Sequence, residues 1–182
     1  MFPQFMIQRL VRLFALQIGI SLVARAALLP PGFINAVVAI GHNQPSPTGP
    51  PTWVTEASGF FYGNLVTDDP DEKKRQYEVY LVTNRHVIEN HTVVSVRLNP
   101  KKSSDQGQVF DLPMVDPHGV RSWFTHNDPN VDIACARVNW RLLQDRGIDV
   151  EFVAGDANGA DTKKMQEIGV SAGDGVFVIG FR

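Results

Sequence analysis

Short runs of apolar and β-branched residues alternate with loops rich in glycine, proline and charge from about residue 30 onward. Runs of this length, bounded by such loops, are typical of β-strands. Six of them predict strands: Phe33 to Gly41, Ala57 to Tyr62, Tyr77 to Thr83, Thr92 to Leu98, Gly107 to Leu112 and Ile133 to Val138. Six short strands between turn-rich loops predict an all-β fold, a closed antiparallel barrel.

The pattern changes after Asn139. Residues 140–146 and 161–168 each show weak helical periodicity and are followed by a glycine, which predicts two short helices. Residues 174–181 are again apolar and β-branched and predict a strand. The chain is therefore expected to have three parts: an N-terminal segment over 1–30, a barrel over 31–139, and a connection with one further strand over 140–182.

The first thirty residues are similar to a secretion signal. Arg9 and Arg12 precede an apolar stretch from Leu13 to Val23, and Ala24-Arg25-Ala26 places small residues where a signal peptidase acts. This favours a periplasmic or secreted location over a cytoplasmic one, where the segment would be an amphipathic helix. The apolar run is too short to cross a bilayer. Any membrane contact is therefore expected only through residues 1–30.

Two polar residues stand out at the ends of predicted strands. His86 follows Leu81-Val82-Thr83, and Asp132 precedes Ile133-Ala134, 46 positions later. A histidine titrates near neutral pH, and a carboxylate can accept its second N–H and stabilise the imidazolium. The sequence therefore predicts that the Asp132 carboxylate lies within hydrogen-bond reach of the His86 ring.

These segments resemble the trypsin-like (chymotrypsin-fold) serine peptidases, and among them the disulfide-poor, bacterial HtrA-like type. Four segments carry the resemblance, in the family's order: Ala57-Ser58-Gly59-Phe60-Phe61, Thr83-Asn84-Arg85-His86-Val87-Ile88, Asp132-Ile133-Ala134 and Gly173-Asp174-Gly175-Val176-Phe177-Val178-Ile179-Gly180-Phe181. The resemblance implies the first six-stranded barrel of a two-barrel fold, then a linker and the first strand of the second barrel. It also implies hydrolysis of polypeptide substrates, with His86 as general base and Asp132 as its orienting partner.

The serine of such a site is not evident. In this family the nucleophile lies in a Gly-x-Ser-Gly segment of the second barrel, and no such segment occurs in these 182 residues. The chain is therefore expected to represent a peptidase truncated before its serine and to be inactive by itself. Ser58 is a possible substitute, although the family pattern gives it a structural place at a strand start. The alternative function is a non-catalytic binding or scaffold module of the trypsin fold.

Composition narrows the partners. The net charge of −2 leaves no basic face for nucleic acid. Cys135 is the single cysteine, so no disulfide forms within the chain; its thiol is either a nucleophile beside His86 or, as is more common, a small buried apolar group. The apolar strand over 176–181 is expected to favour self-association through its unpaired edge.

Metal ions and organic cofactors are not expected. The remaining loop residues that could bind a metal lack the compact spacing of a ligand set; they are His91, His118, His126, Asp116 and Asp128. No glycine-rich phosphate-binding motif occurs either.

Overall fold

The computed structural model describes residues 29–98, 107–146, 148 and 150–181, and this part of the protein is mostly antiparallel β-structure. The strands are β1 (Val37–Gln44), β2 (Thr52–Thr67), β3 (Gln76–Thr83), β4 (Val93–Leu98), β5 (Gln108–Pro113), β6 (Trp123–Thr125), β7 (Ala134–Arg137) and β8 (Val153–Ala154). The helices are α1 (Pro31–Asn35), α2 (Arg85–Ile88), α3 (Trp140–Asp145), α4 (Gly155–Asn158) and α5 (Thr162–Glu167), with a 3-10 turn at Glu72–Lys74. None of the described helices is long and apolar enough to cross a membrane.

Seven strands form one antiparallel path in the order β5-β4-β1-β2-β3-β7-β6, and β8 pairs in parallel with β2. The long strand β2 bends this sheet because its first half pairs with β1 and its second half with β3; Phe60 is opposite both Val37 and Val82. The two ends of the path meet where Val115 and Arg121 form a bridge. The sheet therefore curves into a partial barrel.

The all-β prediction is confirmed, and each of the six predicted strands overlaps an observed one. The barrel has one antiparallel strand more than predicted, because β6 is only three residues long and leaves little sequence pattern. The predicted first strand is displaced as well. Residues 33–35 belong to α1, which begins with Pro31 at its first position, where the fixed φ angle of proline favours a helical start.

Alternating side chains of the strands fill the barrel with an apolar core. Phe61, Leu81 and Ile88 are fully buried, and β4 and β5 each bury every second residue along most of their length. This period of two is expected of strands with one face on a core. The core holds the end of β3 next to the start of β7. The predicted site residues lie just beyond these two neighbouring strand ends.

The described residues of 140–154, namely 140–146, 148 and 150–154, pack onto this same core. Leu143 of α3 and Ile148 are buried members of the core cluster. The Trp140 ring meets the Phe61 ring edge-on, with ring centroids 5.6 Å apart. The Phe152 ring covers Gly63 so closely that a Cβ at that position would overlap it. The predicted linker is therefore attached to the barrel along its first half.

Residues 174–181 have no regular secondary structure and pair with no strand among the described residues. The predicted strand is therefore not formed in this part of the chain, because a strand requires a ladder partner. The side chains of Val176 and Val178 are 84% and 94% exposed. The predicted signal-like segment over 1–30 lies outside the described residues, except for its last two.

Candidate functional site

Strand pairing brings the two predicted site residues to one edge of the barrel. β3 and β7 are antiparallel neighbours, and Thr83 at the end of β3 is opposite Ala134 at the start of β7. His86 follows Thr83 in the single turn of α2, and Asp132 precedes Ala134. The buried Thr83 side chain fixes this edge by donating a hydrogen bond to the Ser58 carbonyl at 2.9 Å.

His86 and Asp132 form a close hydrogen-bonded pair. The distance from His86 Nδ1 to Asp132 Oδ2 is 2.6 Å, slightly shorter than the usual range of about 2.7–2.9 Å for charge-assisted N–H···O hydrogen bonds. The backbone N–H of His86 donates to the other carboxylate oxygen, Oδ1, at 3.1 Å. The predicted contact is confirmed, and both carboxylate oxygens are engaged by the same residue.

This arrangement fixes the tautomer of His86. An ionised carboxylate only accepts hydrogen bonds, so Nδ1 must carry the proton and the neutral ring presents its lone pair at Nε2. The His86 side chain is 66% exposed and that of Asp132 is 40% exposed. The two hydrogen bonds from His86, first from its side chain and then from its backbone, lower the pKa of Asp132. The pair can therefore act as an oriented proton acceptor.

Two neighbours of His86 hold the loop that carries Asp132. Asn84 Nδ2 donates to the Asp132 carbonyl at 3.1 Å and to Asp132 Oδ2 at 3.3 Å, and Arg85 Nη2 donates to the Pro129 carbonyl at 3.2 Å. Within the loop, Asp128 Oδ1 accepts from the backbone and side chain of Asn130. Asn84 and Arg85 belong to the motif around His86, but the motif predicts no role for them, because a linear pattern does not show which loop a side chain reaches.

Neither substitute nucleophile contacts His86. The Ser58 hydroxyl accepts from the Phe181 backbone N–H at 2.6 Å and donates to the Phe181 carbonyl at 3.3 Å. Cys135 lies within β7, and burial raises the pKa of its thiol. Among the described residues, no hydroxyl or thiol makes a hydrogen bond to the ring of His86. The pair therefore lacks a nucleophile within this part of the chain.

An apolar groove of about 490 Å³ lies beside the pair. It reaches Asn84 and Ile133, the immediate neighbours of Thr83 and Asp132, and Phe177 and Ile179 of the C-terminal segment over 174–181. A larger groove of about 900 Å³ lies at the other end of β3, where Glu78 pairs with Arg137 at 2.6 Å. Neither groove is lined by His86 or Asp132 themselves, but only the smaller one includes their chain neighbours Asn84 and Ile133, so it is the groove nearer to the pair.

His118 and His126 lie in loops with hydrogen bonds of their own, and His42 of β1 lies 3.2 Å from Glu56 of β2. The His118 and Val120 backbone N–H groups both donate to Asp116 Oδ1 at 2.8 Å, and His126 Nδ1 accepts from the Asp128 N–H at 3.0 Å. Within the described ranges, no group of three or more histidine, cysteine, aspartate or glutamate side chains could hold a metal ion.

Comparisons of the chain with protein-family models, with curated proteins and with solved structures give no match.

Proposed function

We propose that this protein is the first-barrel part of a trypsin-like serine endopeptidase of the HtrA-like type. His86 is the general base and then the general acid, and Asp132 orients it and stabilises its charged form. The serine nucleophile and the oxyanion-hole donors come from a second barrel that covers the face carrying the pair. The observation that carries the proposal is the 2.6 Å contact between His86 Nδ1 and Asp132 Oδ2, which leaves Nε2 open.

The chemistry follows from that contact. Nε2 takes the proton of the attacking hydroxyl, and the imidazolium that forms is stabilised by the Asp132 carboxylate. When the acyl intermediate forms, Nε2 returns the proton to the leaving amine of the peptide. Backbone N–H groups at the oxyanion are worth about two to three orders of magnitude in rate each, and they are needed in addition to the pair.

Two features of the surface support a covering partner. The side chains of His86 and Asp132 are 66% and 40% exposed. In a complete triad the orienting carboxylate is buried, so the exposure of Asp132 leaves room for a covering partner. Apolar side chains that line the neighbouring groove are also partly exposed, among them Phe60 and Ile133. Docking of a second barrel on this face would bury both the pair and these apolar side chains, and burial of apolar area favours association.

A second candidate is a non-catalytic binding or scaffold module of the same fold. The observation in its favour is that the Ser58 hydroxyl is held by the Phe181 backbone, while no hydroxyl or thiol of the described residues reaches the His86 ring. In that function His86 and Asp132 form a structural hydrogen-bonded pair, and no nucleophile joins them.

The test compares two proteins. The first is the 182-residue chain, which we expect to hydrolyse neither peptides nor activated esters above background and to show no labelling by a fluorophosphonate. The second is the same chain joined to the polypeptide encoded in frame beyond Arg182. We expect a fluorophosphonate to label a serine in a Gly-x-Ser-Gly segment of that protein.

In the extended protein, His86→Ala should abolish peptide hydrolysis, and Asp132→Asn should lower kcat by up to about 10⁴-fold, as in other sites of this type. His118→Ala is the matched control, because His118 lies in an exposed loop away from the pair and should leave the rate unchanged. An extended protein that has no reactive serine would support the scaffold function instead. Stoichiometric labelling of Ser58 would overturn both the need for a second barrel and the structural role of Ser58.

A further inference from the structure

Asn84 occupies the N-cap position of α2 without capping it. An asparagine at this position normally accepts a hydrogen bond from a backbone N–H of the first helical turn. Here the side chain makes no such bond. Asp132 Oδ1 accepts from the His86 N–H instead, at 3.1 Å. The Asp132 carboxylate, from a loop distant in sequence, therefore accepts the hydrogen bond that the N-cap side chain normally accepts. The Asn84 amide is available for another contact.

That contact is with Asp132 itself. Asn84 Nδ2 reaches the Asp132 carbonyl at 3.1 Å and Asp132 Oδ2 at 3.3 Å. Oδ2 is the same oxygen that accepts from His86 Nδ1. One amide group thus contacts both the backbone and the side chain of Asp132. It restrains the peptide that precedes Ile133 and also the rotation of the carboxylate about its own bond.

We propose that Asn84 is a positioning residue for the His86–Asp132 pair, holding Oδ2 in line with His86 Nδ1 so that Nε2 stays available as the proton acceptor. The inference rests on the proposed function, since it concerns the orientation that a general base requires. Arg85 supports this role indirectly, because its hydrogen bond to the Pro129 carbonyl holds the loop that carries Asp132.

The amide is chemically suited to this role. A neutral donor holds the carboxylate without placing a second ionisable group beside it, so His86 remains the only titratable donor to Oδ2 among the described residues. An aspartate at position 84 would repel the Asp132 carboxylate, and an alanine would leave only the His86 contacts to it. A serine is an equally good helix cap but carries a shorter side chain. Asn84→Ser therefore keeps a residue that is able to cap the helix but removes the reach to Asp132.

The experiment uses the 182-residue protein and needs neither substrate nor nucleophile. Long-range proton–nitrogen NMR spectra report the tautomer of the His86 ring and the proton on Nδ1, and carbon NMR of the Asp132 carboxyl group reports its pKa. The wild type should show a single Nδ1–H tautomer. Asn84→Ala and Asn84→Ser should both give mixed tautomers, a loss of the resolved Nδ1 proton signal, and an upward shift of the Asp132 pKa.

Asn64→Ala is the matched control, because Asn64 is an exposed asparagine of β2 outside the pair's contacts and should change none of these signals. A melting temperature measured beside the spectra separates general destabilisation from loss of orientation. Unchanged tautomer and Asp132 pKa in folded Asn84→Ser would overturn the positioning role and leave the proposed peptidase function intact. If His86 loses its single tautomer in Asn84→Ser but the extended protein is inactive, the positioning role of Asn84 is supported and the proposed peptidase function is refuted.

Discussion

Leu142 and Leu143 are adjacent leucines of α3 that differ sharply in burial, and they test whether the segment after the barrel belongs to its folding unit. Leu143 is 1% exposed and is a member of the core cluster, whereas Leu142 is 38% exposed. Replacement of each by alanine removes the same atoms from the same helix. The difference between the two variants therefore reports the packing of α3 on the barrel, with helix propensity held constant.

We expect Leu143→Ala to lower the free energy of unfolding by about 3 kcal/mol, within the usual range of about 2–5 kcal/mol for a buried leucine. For a protein of this size, that loss lowers Tm by about 6–12 °C. Leu142→Ala should cost about 0.5 kcal/mol or less, as is usual for exposed positions. A loss of about 3 kcal/mol is a large fraction of the 5–15 kcal/mol that typically stabilises a domain.

Urea unfolding followed by tryptophan fluorescence and by circular dichroism measures both effects, because Trp140 begins α3 and contacts Phe61 of the core. The two probes should give coincident transitions with an unchanged urea dependence in each variant. Equal and small effects of the two substitutions would contradict the packing argument. So would a separate early transition seen by fluorescence alone in a protein whose other two tryptophans, Trp53 and Trp123, are replaced by phenylalanine, since it would show α3 unfolding independently of the barrel.

Three further predictions concern the site and its surroundings. Hydrogen bonds lower the pKa of Asp132, so its carboxylate stabilises the fold above about pH 4, and this contribution is lost as the pH falls through the lowered pKa. The difference in Tm between the wild type and Asp132→Asn should therefore narrow below about pH 4. A difference in Tm that stays constant with pH would contradict this prediction. Burial raises the pKa of Cys135, so its thiol should react with Ellman's reagent much more slowly in the native protein than in urea, and equal rates would refute its burial. The exposed apolar segment over 176–181 should cause self-association, which removal of residues 170–182 relieves; light scattering that finds the intact chain monomeric would count against this.

The strands of the barrel were predictable because their signal is local. The alternation of apolar and polar positions along β4 and β5 directly predicts the burial of every second residue. β6 has only three residues and is recognised through its pairing with β7, which is a long-range property. The segment over 174–181 shows the opposite case. Its composition favours a strand, but a strand forms only where a partner supplies the ladder.

The site was predictable in its two principal residues and not in their support. His86 and Asp132 are chemically conspicuous and follow or precede strands that a sequence pattern reveals. Asn84 and Arg85 are polar residues at the start of a short helix, where a cap or a solvated charge is the ordinary expectation. Their partners lie more than 40 positions away in the loop before β7. Only the pairing of β3 with β7 brings the two segments together.

The same pairing explains why the His86–Asp132 contact should form without any further part of the protein. Every group that orients it comes from α2 or its cap, or from the loop before β7, and both are fixed by adjacent strands of one sheet. The C-terminal segment contributes to the neighbouring groove through Phe177 and Ile179 but makes no hydrogen bond to either member of the pair. We therefore expect removal of residues 170–182 to leave the Nδ1–H tautomer of His86 and its Asp132 contact unchanged in NMR spectra. A change of tautomer in that shortened chain would show that the barrel alone does not preorganise the pair, and that the C-terminal segment is needed to orient it.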